Sequence, residues 1–449
     1  MGYISFSPAA ILSLILSFTA ALVGTLLIKL VWRAYTIRRK FRRVRAQGIP
    51  MLPRTWMTGH LSVMMEFRKD YPGDVNIGNF HPWIINNYHK YFPDQVHCPP
   101  VIYLDLWPVL RSPIVAAYKN TVAAQFTQFK NLDMHQISLD FMTPLTKGKD
   151  ISTLQGEGVE EVEVLVQSRL QFKKCLYHGA GAHRRDSVFQ FRNATTALTF
   201  DIIVRAVLDE RLHEQTNPDG GPLRIALAEL LRLMGIRQAF SIGYLLPWQS
   251  KALDRNNEIV RNQLCPKIYR SLESGLKPSR KKTVLTLALT NLAEEAGGRP
   301  VDPATDPSMV ETIEGNIKAF LMASTMRGGE PGFQLSDPAT GRQYPTEGFL
   351  VWDGGPGMQL DPSLWPRVDE FIPERWLVPA DDPLHPVKDA WRAFARGPRD
   401  CIGQEIALVE LKLVAPLIIR KFDVEEAWDE WDAIRGIKGK KDMVRGQRL

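Results

Sequence analysis

The 449 residues are 45% hydrophobic and 23% charged, globular values that suit one large α-rich enzyme as well as two domains. The net charge of +7 sits at one end. Residues 1–65 carry Lys29, Arg33, Arg38, Arg39, Lys40, Arg42, Arg43, Arg45 and Arg54 with no Asp or Glu, which leaves −2 for the remainder, so nucleic-acid binding by the body is not indicated.

Four cysteines (Cys98, Cys175, Cys265, Cys401) form no Cys-x-x-Cys pair and no zinc spacing, and such sparse usage fits a reducing compartment. No repeat of 20–50 residues is present.

Ile11 to Ile28 is uncharged and almost wholly apolar, and Leu30-Val31-Trp32 extend it past Lys29. That length crosses a bilayer core as a helix. A cleaved signal peptide has a shorter apolar region preceded by positive charge, whereas here the charge follows. By the positive-inside rule residues 1–10 are expected in the lumen, 11–32 in the membrane and the body in the cytosol. Lys29 snorkels, Trp32 suits the interface, and the arginine-rich 33–45 is expected to lie on anionic lipid. Gly48-Ile-Pro50-Met-Leu-Pro53 reads as stiff and extended, which makes 33–60 a basic, proline-rich hinge and 61–449 the body.

His97-Cys98, followed by two prolines, reads as a loop. Val101-Ile-Tyr-Leu-Asp-Leu-Trp107 alternates and, with Pro113-Ile-Val-Ala, predicts a hairpin. Thr199 to Leu212 is helical by period, with Asp201 and Arg205 as an i,i+4 ion pair. Asn193-Ala-Thr195 is a glycosylation sequon only if lumenal, which the topology argues against. Leu230 to Trp248 is apolar and reads either as core or as a membrane-touching segment. Glu311 to Ala323 opens like a long helix.

The most informative stretch is Trp391-Arg-Ala-Phe394-Ala-Arg-Gly397-Pro-Arg399-Asp-Cys401-Ile-Gly403-Gln-Glu-Ile-Ala407. Gly397 permits a tight turn that a Cβ would obstruct. Cys401 precedes apolar positions at Ile402, Ile406, Val409 and Leu413, which predicts a helix start, where N–H groups and the positive dipole end favour a thiolate. Gly403 removes a side chain where a flat cofactor needs close approach. Arg399 reaches a carboxylate on such a cofactor. A thiolate-ligated heme explains all of these choices together.

This stretch resembles the heme-binding loop of the cytochromes P450, Phe-x-x-Gly-x-Arg-x-Cys-x-Gly, and Phe371-Ile-Pro373-Glu374-Arg375-Trp376 resembles that family's Pro-Glu-Arg-aromatic motif in matching order. Arg327-Gly-Gly-Glu-Pro-Gly, Gly341 to Trp352 and Asp361-Pro-Ser-Leu-Trp365 continue the likeness. Phe422 to Asp432 resembles ascomycete P450s of secondary metabolism.

Two blocks of the family pattern are missing, near Gly158 and Ala323. Trp107-Pro-Val-Leu-Arg111 mimics the Trp-x-x-x-Arg propionate motif, but its strand context and internal Pro make it a decoy; no Trp lies between Trp107 and Trp248. Ala323-Ser324-Thr325-Met326-Arg327 lacks the acid–alcohol pair of the distal helix. Glu229…Arg232 and Glu258…Arg261 lie too early to be the family's Glu-x-x-Arg. Pro416 falls inside the helix after Cys401, where it removes a helix hydrogen bond and costs roughly 3 kcal/mol unless a kink is accommodated.

The resemblance implies the mostly α P450 fold with a small β-sheet, incomplete, on one N-terminal transmembrane helix. It implies a heme-thiolate monooxygenase of the endoplasmic reticulum, its body cytosolic, acting on a lipophilic small molecule with electrons from NADPH through NADPH-cytochrome P450 reductase. Cys401 would bind the iron, Arg399 and Arg327 the propionates, and Phe394 would pack by the thiolate. Arg375 is left without its usual Glu-x-x-Arg partner. A heme-binding or inactive remnant, or a membrane-tethered partner protein, remains the alternative.

Overall fold

The computed structural model describes residues 8–71, 75, 77–110, 112–130, 132–148, 150, 191–208, 210–217, 219–239, 247–273, 307–320, 327–401, 403–420 and a few positions beyond. The expected breaks near 158 and 323, the Ala323–Met326 stretch, Arg111, Cys175, Trp428 and Trp431 lie outside the described residues.

The first element, α1 (Pro8–Ala46), is one continuous helix of 39 residues. Among the described residues it alone is long and apolar enough to cross a membrane, and its apolar window is entirely unburied. The boundary expected at residue 32 is not a structural break. The helix runs through it because Ala34, Ile37, Phe41 and Val44, spaced three and four apart, turn one face into the body's core. Arg33, Arg39, Arg42, Arg43 and Arg45 stay exposed, whereas Arg38 is buried and paired with Asp105. The guanidinium of Arg38 also donates to the carbonyls of Trp56 (2.9 Å) and Met57 (3.1 Å), so the expected hinge is fastened to the helix.

Strands β1 (Val101–Leu104) and β2 (Ile114–Ala117) form the predicted antiparallel hairpin. All eight side chains are buried, so the expected alternation of inside and outside does not hold. With β3 (Arg327–Gly328), β4 (Gln334–Ser336), β5 (Gln343–Pro345) and β6 (Leu350–Asp353) the strands make a four-stranded sheet, ordered β1-β2-β6-β3, beside a separate β4–β5 hairpin. The β2–β6 pairing is parallel.

Helix α2 (Leu61–Asp70) and helix α3 (Phe80–Asn87) cover one side of the sheet through Phe67, Phe80, Trp83 and Ile84. Helix α4 (Asn120–Ala124) continues into a π-turn over Gln125–Phe129.

A second core joins five helices: α5 (Gln136–Thr146), α6 (Phe191–Leu208), α7 (Pro222–Ala239), α8 (Pro247–Glu273) and α9 (Pro307–Phe320). Val310, Ile313 and Ile317 recur at helical spacing on α9 and face it. The polar members of that face are neutralised in place: Lys318 Nζ lies 2.7 Å from Glu314 and donates to the Leu145 carbonyl at 3.1 Å. Leu230, Leu233 and Met234 are core residues, which decides the described part of the 230–248 stretch; Trp248 is exposed. Asp201 spends its carboxylate capping the turn at Glu214, accepting from the Glu214 and Gln215 N–H groups at 3.1 and 3.4 Å.

Candidate functional site

The loop 390–403 lies between a short helix, α10 (Gly355–Met358), and a long one, α11 (Gln404–Ile419). Its shape is set by backbone conformations that only a few residues tolerate. Ala395 and Gly397 have φ of +58° and +89°. A Cβ on Gly397 would stand 1.8 Å from the Thr127 carbonyl oxygen, so glycine is required there for space as well as for φ. The Cys401 N–H donates to Phe394 O at 2.8 Å and the Asp400 N–H to Gly397 O at 2.9 Å, which folds the loop back on itself. Cys401 then accepts from the Gln404 N–H (2.9 Å) as α11 begins with Gly403 at its N-cap.

The thiol of Cys401 is exposed, and the helix that follows has no buried side chain: Val409, Leu411, Leu413, Leu417 and Ile419 all face outward. The helix includes Pro416 and ends three residues later, at Ile419. Gly403 leaves open space beside the sulfur, since a Cβ there would meet only Cys401 Sγ, at 3.8 Å.

Both arginines named from the sequence reach one segment. Arg327 is buried, pairs its backbone with Met134 and donates from Nη1 to the Leu132 carbonyl at 3.2 Å. Arg399 Nη2 lies 4.0 Å from Asp133. Phe394 offers its carbonyl to Cys401, while its ring stands edge-on to Trp391 at 5.7 Å. Arg375 has its guanidinium 5.8 Å from the Trp365 ring.

Sequence reasoning missed Arg392, which holds the loop to the sheet. Its side chain is fully buried and donates to Asp353 (2.7 Å), to Thr127 Oγ1 (3.0 Å) and to the Asp389 carbonyl (3.4 Å). Burial pushes the Asp353 carboxyl above its ordinary range, and Arg392 opposes that push. The sole sign in the sequence was a cation inside a turn-forming stretch, next to Trp391.

The donor set fits a flat metal macrocycle with acidic edges: an exposed sulfur, an adjacent glycine leaving room, and two arginines on a shared segment. Among the described residues no cluster of three His, Cys, Asp or Glu competes for a metal.

The cytochrome P450 family model matches residues 350–436, the segment that spans β6 and the Cys401 loop. Over that segment the chain is similar to the cytochromes P450. A cytochrome P450 monooxygenase, polC of Polytolypa hystricis, is 27% identical over 96% of this chain and 90% of its own length. Another, PC-20 of Penicillium crustosum, is 23% identical over 91% of this chain and 88% of that one. The solved heme domain of cytochrome P450DA shares the fold, with a TM-score of 0.53 at 15% identity, covering 85% of this chain and 92% of that one. The fold class expected from the sequence, mainly α with a small sheet, therefore holds for this chain.

The polC alignment runs over 521 positions, 72 more than the 449 residues of this chain, so at least that many face gaps on this chain's side. Missing blocks were expected from the motifs, and the shortfall is large enough for several helices.

Proposed function

We propose that this P450 holds heme through Cys401 and, when complete, oxidises a lipophilic small molecule of fungal secondary metabolism. One observation carries the reading: an exposed sulfur in a glycine-shaped turn at the start of a helix whose apolar residues lie uncovered. When bound, a thiolate-ligated heme supplies dioxygen binding and O–O cleavage. The chain's own residues do the rest. Cys401 gives the axial sulfur, Arg399 and Arg327 neutralise the propionates, Gly397 and Gly403 keep the approach free of side chains, and Phe394 ties the loop to Trp391. Electrons would come from NADPH through cytochrome P450 reductase. We place the protein in the endoplasmic reticulum membrane, residues 1–10 lumenal, 11–32 spanning, and the body on the cytosolic side.

The 72-position shortfall favours a second reading, in which this chain takes up heme without efficient oxygen chemistry. Proton delivery from the distal side has no acid at Ser324-Thr325-Met326 in the sequence. The two readings separate by experiment. Reduced protein under carbon monoxide should absorb at roughly 450 nm, a property of thiolate ligation. Cys401→His should abolish that band even where heme is retained, and an unchanged band in Cys401→Ser would refute the assignment. Turnover is then compared, with reductase and NADPH, between this chain and a version carrying both missing blocks from a relative. Equal turnover would remove the second reading.

A further inference from the structure

A cleft with a volume of about 300 Å³ lies at the Pro-Glu-Arg-Trp turn, and Cys401 is not among the residues that line it. Its lining includes Trp365, Trp376, Trp391, Phe371, Glu370 and Arg375. Arg375 is 7% exposed. Its terminal nitrogens share a single acceptor, the Pro366 carbonyl, at 3.4 and 3.3 Å, and its other contact is the face of Trp365. Among the described residues no carboxylate lies within ion-pair distance of it. A guanidinium presents five donors in a fixed fork, and one carbonyl shared by two long hydrogen bonds does not balance its charge. A buried, uncompensated cation is among the costlier features a fold can carry.

We propose that this cleft binds a small planar carboxylate, with Arg375 as its counter-charge and the indoles as its walls. The ring centroids of Trp365 and Trp376 are 6.3 Å apart and those of Trp376 and Trp391 5.5 Å, so aromatic faces and edges line the space continuously. The volume is at the small end of ligand sites and suits a one- or two-ring acid. One carboxylate matches the fork bidentately. A doubly charged phosphate is disfavoured by Glu370 on the rim. That carboxylate is itself held by Arg367, through bonds of 2.9 and 2.5 Å, which lets a single further negative charge approach. Phe371, 95% exposed at the mouth, can fold over a ring seated below it.

The test uses the full-length chain in lipid nanodiscs and calorimetric titration with 2-naphthoate and its neutral isostere 2-naphthamide. Neither heme nor turnover is read, so failure of this inference and failure of the heme assignment are distinguishable. The acid should bind at least about tenfold more tightly than the amide, and R375Q should erase that difference. E370Q should strengthen acid binding roughly two- to threefold by removing rim repulsion, a readout that survives even if R375Q does not fold. Equal affinity for acid and amide, no binding by either, or an acid affinity that E370Q leaves unchanged would overturn the proposal.

Discussion

Replacing Arg392 with methionine tests whether the sequence-distant contacts of the Cys401 loop hold the site together. The substitution keeps the length and apolar stem of the side chain but deletes the cation. Asp353, already pushed toward its protonated form by burial, loses the group that opposes that push, and Thr127 Oγ1 loses its donor. Breaking one side of such a pair costs about 3–5 kcal/mol, against a typical domain stability of about 5–15 kcal/mol. The double variant R392M/D353L removes both charges from the same interior and should be milder than the sum of the single changes by about 2 kcal/mol or more. Urea unfolding of the full-length protein in detergent, followed by tryptophan fluorescence, gives each free energy. The double variant should also recover most of the carbon monoxide band that R392M loses. Single costs that simply add, with a coupling under about 0.5 kcal/mol, would refute the reasoning.

Gly397→Ala should destabilise the protein by about 2 kcal/mol or more and abolish the thiolate band, because φ of +89° and the Thr127 carbonyl both exclude a Cβ; a band of normal intensity would contradict this. Stability should fall as pH drops below about 6.5, the unfolded histidine value. Burial, then Arg54 and Arg38, push His60 down to about 3, and burial pushes His81 down to about 4. The unfolded chain therefore binds the extra protons, and each histidine removes about 1.4 kcal/mol per pH unit between about 6.5 and 4, with no effect above neutrality. Denaturation midpoints at three pH values check the slope, and a flat profile would contradict it. Carbonate washing should leave the full chain in the membrane pellet through α1, and recovery in the supernatant would defeat the anchor. Asp105→Ala should leave that attachment intact while speeding tryptic cleavage after Arg38 and its neighbours, since the buried Arg38–Asp105 pair fastens α1 to the body; unchanged cleavage would show that the packing of Phe41 alone suffices.

The parts of this protein that were legible in its sequence are those whose physics is local. An apolar run long enough for a bilayer, a basic flank, a glycine where the chain must turn, and a cysteine just ahead of a helical pattern are each specified by neighbours along the chain. The hairpin of β1 and β2 was legible for the same reason, because its strands are separated by a short connection. Only the tertiary structure decided what these pieces lean on. Arg392 meets Thr127 across 265 positions and Asp353 across 39, and β6 pairs in parallel with β2 although most of the chain lies between them. Arg38, one of nine cations in a terminal run, read as a lipid-facing charge until its contact with Asp105, 67 positions away, put it inside the body. Composition and periodicity report which face of an element is apolar. They do not report which charge on that face meets a counter-charge from a distant strand, because that depends on how the elements are stacked.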